Sequence, residues 1–366
     1  MMPLTVVEQS EKPVSVKDIA ARCGVHPSTV QRALQGSNLV RPKTAAHVRK
    51  VAEELGYNAA ANDAARRLVY NRYGKTVLNQ AIALYFPSDF ALRPYWNRIF
   101  QGICEVVNEA DYDLITISND SAKISRHMSN CIVRGAVDGV CLFAANADDA
   151  SGLLGRLRQE PAFGAKPVVS MIQIVPNTSG VTTDDIQGAR LSLGHLLQLG
   201  HRHILHMQSD DGLYSVQQRL AGYRMACRDH GVEPETVLRK IIGSWQSDCS
   251  GWDNVIAAAM RAHPETTAIL AANDFMAIPT VHGLRTMGLS VPEDISIVGY
   301  DDSDELLNAE RVNILTTVRL PLEDVGREAV RLALDRIKGS VKNDRTTLLP
   351  VTLVERGSTA PPRVLA

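Results

Sequence analysis

From residue 81 onward, short apolar runs alternate with stretches of helical periodicity, and this alternation constrains the fold more than any other feature of the chain. The runs are "AIALYF" (81–86), "DLITIS" (113–118), "VDGVCLFA" (137–144) and "PVVSMI" (167–172), with helical patterns between them, the first around 95–110. The series resumes with "HILHMQ" (203–208), "AILAAND" (268–274) and "ISIVGYDD" (295–302). Alternation of this length predicts parallel sheets with helices on both faces, and two such series predict two lobes.

In sheets of this kind ligands sit at the carboxyl ends of the strands. Tyr95 and Trp96 begin the helix after the first run, Ser215 and Arg219 follow "HILHMQ", Asn273 and Asp274 follow "AILAA", and Asp301 and Asp302 follow "SIVGY". A carboxylate, a guanidinium and an amide together can grip vicinal hydroxyls, and an aromatic face can cover the C–H surface of a sugar. Each residue also has a purely structural reading: Asn273 as a helix cap, Arg219 in a surface ion pair, Tyr95 and Trp96 as core. No phosphate-binding or metal motif accompanies them. "YGKT" (73–76) lacks the glycine that a phosphate loop needs at position 69, which is Val, and His203 and His206 in "HRHILH" point to opposite faces of one strand. No cofactor, metal or catalytic group is expected.

At 366 residues the chain suits two to three domains. The N-terminal stretch "MMPLTVVEQSEKPVS" lacks the apolar core of a secretory signal, and no apolar run approaches membrane-spanning length, so a cytoplasmic protein is expected. Six scattered cysteines without a CxxC pair read as buried, reduced thiols. Charge is uneven along the chain. Residues 1–75 hold twelve basic and six acidic side chains, a balance of +6, whereas the rest carries −7. A basic head on an acidic body points to a polyanion as partner of the head.

Three short helices are legible in that head. "VSVKDIAARCG" has Ser15 as cap, apolar positions 16, 19 and 20, and Gly24 as stop; Pro27 opens a second helix with Val30, Ala33 and Leu34 on its apolar side; "RPKTAAHVRKVAEELGY" opens at Pro42 and closes on Gly56. The short connection between the first two makes a helix-turn-helix. Packing of Val30, Ala33 and Leu34 then turns Ser28, Gln31, Arg32 and Gln35 outward, a polar face suited to a DNA major groove.

The segment "VSVKDIAARCGVHPSTVQRALQG" resembles the corresponding motif of the lactose-repressor and galactose-repressor family of bacterial transcription regulators. The resemblance extends over nearly the whole chain through "NDAARRL", "VTTDDIQGARLSLGHLLQLGHRHI", "QQRLAGYRMA", "AANDFMAI" and "SIVGYDD". It implies a homodimer on a palindromic double-stranded DNA operator, controlled by a small-molecule effector of carbohydrate type, with no membrane partner. By the match, Pro27, Ser28 and Arg32 reach bases and Thr29 and Gln31 lie near phosphates. Leu68 wedges into the minor groove beside Arg66 and Arg67, and Tyr95, Trp96, Ser215, Arg219, Asn273 and Asp301 hold the effector. His26 and Gln31 each stand where a small serine is usual, Ala61 replaces a proline at the hinge, and Met171–Ile172 replace an acid common in sugar-responsive members.

The expected organisation is an all-α helix-turn-helix domain over 1–61, a hinge helix and linker over 62–78, and a two-lobed α/β domain like the periplasmic binding proteins over 79–366. Its first lobe takes about 79–180 and 318–345, its second about 181–317 and 346–366. Two rival readings share the two-lobed body: a free solute-binding protein, which the basic head and missing signal oppose, and a sugar-modifying enzyme, for which no nucleophile or metal motif speaks. The tail "VERGSTAPPRVLA" has no leucine heptads and predicts no added tetramerisation coil.

Overall fold

The computed structural model describes residues 14–34, 39–57, 78–87, 93–119, 129–143, 147–208, 213–242 and 251–363. The chain divides into two compact units, residues 1–78 and 79–366. In the first, helix α1 (Val16–Cys23) starts at a reciprocal cap. The Asp18 carboxylate accepts the Ser15 backbone N–H at 2.7 Å, and the Ser15 hydroxyl accepts the Asp18 N–H at 3.4 Å. Gly24, at φ 67°, ends it, and α2 (Pro27–Leu34) follows after a three-residue turn. Helix α3 (Pro42–Glu54) follows. Ile19, Ala20, Val30, Ala33, Val48, Val51 and Ala52 form its core.

The second unit holds two six-stranded sheets. The first has the order β11 (Thr346–Leu349), β5 (Ser179–Thr183), β4 (Val168–Met171), β3 (Gly139–Phe143), β1 (Ala81–Pro87), β2 (Asp113–Asn119), parallel throughout. Side chains alternate strictly: Ile82 and Leu84 of β1 enter one apolar cluster, Ala81, Ala83 and Tyr85 the other. Helices α4 (Pro94–Glu109) and α5 (Ala147–Gln159) supply opposite faces. The second sheet runs β12 (Thr352–Val354), β10 (Thr316–Arg319), β9 (Ser296–Asp301), β8 (Ala268–Leu270), β6 (Ile204–Gln208), β7 (Leu238–Ile242), with only β12 antiparallel. Helices α6 (Asp185–Gln198) and α7 (Tyr214–Asp229) cover one face, α8 (Trp252–Ala262) and α9 (Asp274–Thr286) the other.

Helix α10 (Leu322–Ile337) returns the chain to the first lobe and packs on α4. The two backbones meet through glycine: a Cβ on Gly326 would lie 2.1 Å from the Ile99 carbonyl oxygen. Gly222 does the same for α7 against α6, its Cβ position 2.2 Å from the Ile186 carbonyl.

The lobe boundaries differ from the expected ones at three points. Strand β5 runs to Thr183 in the first sheet, β10 keeps 318–319 in the second, and β11 puts 346–349 back in the first, where it pairs with β5. Hydrogen bonding to a neighbouring edge decides these memberships, and apolar periodicity carries no record of it. Residues 62–77 of the expected hinge, with Arg66 and Leu68, lie outside the described residues, as does Gln35.

Candidate functional site

Helix α2 buries Val30 and Ala33, which leaves Ser28 and Arg32 exposed and Pro27, Thr29 and Gln31 half-exposed. Its first turn is closed by an imidazole. The Thr29 N–H reaches the His26 carbonyl at 2.8 Å, and the Ser28 N–H reaches His26 Nδ1 at 3.3 Å, so the histidine does the work of a capping hydroxyl. The module thus presents a short helix with a polar outer side, an exposed guanidinium at Arg32 and a basic surround.

In the second unit the strand ends converge on Arg219. Its Nε donates to Asp185 Oδ1 at 2.8 Å, its Nη1 to the Ala272 carbonyl at 2.6 Å, and its Nη2 lies 4.0 Å from Asp301 Oδ1. Its guanidinium sits 3.5 Å above the centre of the Tyr300 ring. Burial works against that charge, but Asp185, then Tyr300 and Asp301, more than offset it and hold Arg219 protonated. Two carboxyl groups face this one cation, so the charge of the second is poorly compensated. Burial pushes the Asp301 carboxyl well above the carboxylate range, with Arg219 pulling the other way. The Tyr300 hydroxyl is buried beside the Asp185 carboxyl, and only a glycine at 188 leaves it room, because a Cβ there would lie 2.2 Å away.

The backbone is strained here. Asp301 and Asp302 have φ of 107° and 55°, and Ile172, after β4, has φ of 65° although it is β-branched. Beside Ile172, the buried Gln173 accepts the Tyr214 N–H at 3.0 Å, which ties the first lobe to the start of α7 in the second. Its Nε2 is buried and has no partner among the described residues. Asp302 is held by Arg319 at 2.6 Å and Arg356 at 2.8 Å; burial opposes its charge, yet these bonds bring its carboxyl below the usual range. Arg98 of α4, gripped at both ends by Glu323, donates to the Asp302 carbonyl at 2.9 Å.

Of the residues expected at the effector site, Arg219 and Asp301 are neighbours. Tyr95 is close to them, since burial, then the charges of Asp301 and Asp185, raise its hydroxyl well above its ordinary range. Trp96 touches Tyr95 edge-on, ring centres 4.5 Å apart, and packs on Phe143, so it is also part of the core. Asn273 caps α9, its Oδ1 accepting the Met276 N–H at 2.9 Å; its sequence neighbour Ala272 supplies the carbonyl for Arg219. Ser215 is half-buried in the first turn of α7 and is not hydrogen-bonded to this group among the described residues. Sequence reasoning missed Asp185, Gln173 and Tyr300. Gln173 and Asp185 each lie two residues beyond a strand end, of β4 and β5; only β4 is legible in the sequence, so position was an available signal for Gln173 alone.

The histidines of "HRHILH" are separate. His201 bonds Thr267 and the Ala360 carbonyl, each at 2.9 Å, His203 is exposed, and His206 stacks edge-on against Tyr223, its buried ring pushed down to about 4.

Comparison with known proteins resolves the family. Residues 15–59 match the bacterial regulatory proteins of the lacI family, and residues 193–359 the periplasmic binding protein-like domain. The transcriptional regulator CelR of Thermobifida fusca is 31% identical over 362 residues, spanning 96% of this chain and all of that one. The chain belongs to the lacI family of bacterial regulatory proteins. It is a DNA-binding transcription regulator. The regulator DegA of Bacillus subtilis is 29% identical, with 95% of this chain and 98% of that one covered. Among solved structures, a CelR–cellobiose complex superposes with a TM-score of 0.65 at 27% identity, covering 94% and 99% of the two chains. The lac repressor dimer bound to operator and an anti-inducer superposes with a TM-score of 0.71 at 25% identity, covering 95% and 100%. For this lacI-family member, no helix among the described residues is long and apolar enough to cross a membrane.

Proposed function

We propose that this regulator is a cytoplasmic repressor that binds a palindromic operator as a homodimer and is controlled by a carbohydrate-like effector between its lobes. Arg32 grips a guanine, Pro27 and Ser28 touch base edges, and Thr29 and Gln31 lie against phosphates. Leu68, flanked by Arg66, wedges into the minor groove of the operator. The observation that carries the effector reading is the buried Arg219, held between Asp185 and Asp301 at the strand ends with Tyr95 alongside. These groups can bracket hydroxyls as donors and acceptors while Tyr95 and Trp96 offer an apolar edge. The unpaired Nε2 of Gln173 and the Asn273 side chain extend the polar lining. Cellobiose in the CelR complex and the operator in the lac repressor complex support the same assignment by likeness.

The test is titration calorimetry with a panel of mono- and disaccharides, sugar acids and nucleosides. One member of the panel binds, and Asp301→Ala weakens it at least about tenfold, the cost of leaving the hydroxyl that met Asp301 without its hydrogen-bond partner. Binding that ignores the change at Asp301 overturns the site.

A further inference from the structure

The hydrogen bonds around His26 fix more than the start of a helix. Its Nδ1 accepts the Ser28 backbone N–H at 3.3 Å and lies 2.8 Å from the Ser28 hydroxyl oxygen. A backbone N–H can only donate, so the tautomer that satisfies both contacts presents the Nδ1 lone pair and carries the ring proton on Nε2. A hydroxyl 2.8 Å from that lone pair can in turn only donate to it. The Ser28 proton is therefore committed to the ring, and what its oxygen has left to offer a partner is lone pairs. Ser28 is exposed in the first turn of α2, the part of a recognition helix that meets base edges.

We propose that His26 makes Ser28 a one-way reader, which accepts a hydrogen bond from an exocyclic amino group in the major groove, adenine N6 or cytosine N4. A serine with a freely turning hydroxyl could equally donate to guanine O6, thymine O4 or a purine N7. Here the acceptor polarity is set within the protein before DNA arrives. The histidine thereby couples two tasks that a small capping residue would leave separate, closing the helix and restricting what its second residue reads. The inference rests on α2 being the DNA-reading helix and goes beyond it by assigning the polarity of one contact.

The experiment uses the full-length protein and an operator selected by it from a random duplex pool. Affinity is measured by fluorescence anisotropy for wild type, Ser28→Ala, His26→Ala and His26→Asn, with circular dichroism confirming that each folds. At the position where Ser28→Ala loses discrimination, the amino-bearing base is replaced by its analogue lacking that amino group, purine for adenine or 2-pyrimidinone for cytosine. The wild type then loses about fivefold or more in affinity, and Ser28→Ala is indifferent. His26→Ala, which frees the hydroxyl, narrows the spread of affinities over the four base pairs at that position at least about threefold. His26→Asn, whose side-chain oxygen also accepts, retains it. A wild-type loss traced instead to N7 or a carbonyl oxygen overturns the polarity and leaves α2 as the reading helix. An unchanged spread in His26→Ala overturns the role of the histidine. Wild-type affinity of Ser28→Ala at every position removes Ser28 as a reader altogether, and Arg32→Ala then tests the helix independently.

Discussion

Asp274 is the most consequential carboxyl that the proposed contacts do not use. It is fully buried at the start of α9, where its Oδ2 accepts the Ser303 N–H at 2.9 Å and its Oδ1 lies 2.6 Å from the Thr317 hydroxyl. It thus anchors the loop that follows Asp301 and Asp302. Burial pushes its carboxyl up to about 7, with the bonds from Thr317 and Ser303 opposing, against about 4 in an unfolded chain. The folded state therefore holds a proton that the unfolded state releases between those values. A raised carboxyl contributes its stability at low pH and loses it as the pH climbs through 7. In the steep part of the window the loss is about 1.4 kcal/mol per pH unit, and from about pH 5.5 to 7.5 it amounts to roughly 2 kcal/mol. Asp274→Asn keeps the shape and one oxygen that accepts the Ser303 N–H, the Thr317 hydroxyl turns to accept from the amide, and nothing is left to titrate, so this part of the pH dependence disappears. His206, pushed down to about 4, contributes with the opposite sign, but it does so in both proteins and cancels from the difference. Urea unfolding followed by tryptophan fluorescence is the assay. Trp96, Trp245 and Trp252, the only three tryptophans of the chain, all belong to the second unit. Equal slopes of stability against pH in wild type and Asp274→Asn would refute the reasoning.

Three further outcomes follow from the same structure. Gly326→Ala should destabilise the second unit by about 1–3 kcal/mol, because the new methyl meets the Ile99 carbonyl; Gly152→Ala, with nothing within 4 Å, should stabilise it by about 0.5–1 kcal/mol. Equal effects in urea unfolding would contradict the close approach of α4 and α10. Arg219→Met strips the cation from Asp185 and Asp301 and should cost about 3–5 kcal/mol in the same assay, a cost under about 1 kcal/mol speaking against the buried pair. Arg32→Ala should weaken operator binding by about 1–3 kcal/mol and relax the preference at one guanine, which binding to single-base operator variants checks.

Much of this architecture is legible in the sequence because parallel strands buried on both faces leave long apolar runs. All seven runs named above contain a strand, and Ser15, Gly24 and Pro27 mark the helix ends where local chemistry requires them. The strands that escaped notice are polar or short: "SGVTT", "LRKII", "TTVR", "TTLL" and "TLV". Their identity comes from hydrogen-bonded neighbours, not from periodicity. In the proposed effector site the strand ends pointed to Arg219 and Asp301, while Asp185 was hidden by the unread strand before it. Asn273 illustrates the limit of residue-by-residue inference. Its amide was expected to bind a ligand, and its oxygen is occupied in capping α9, which leaves the nitrogen end for that role. Strain at Ile172 and the unpaired Nε2 of Gln173 exist only in the folded backbone.

The central claim is that the site around Arg219 and Asp301 and the DNA-reading helix are thermodynamically coupled, and reciprocity gives it the most direct test. Once the panel has yielded a ligand, its affinity is measured calorimetrically with and without saturating operator, and operator affinity is measured with and without saturating ligand. The account predicts that both affinities change by one and the same factor, about 5–150-fold, which corresponds to about 1–3 kcal/mol of coupling. In Asp301→Ala, which binds the ligand at least about tenfold more weakly, a ligand concentration that just saturates the wild type should change operator affinity by a correspondingly smaller factor. A ligand that binds at Asp301 with the same affinity whether or not operator is present would contradict the account.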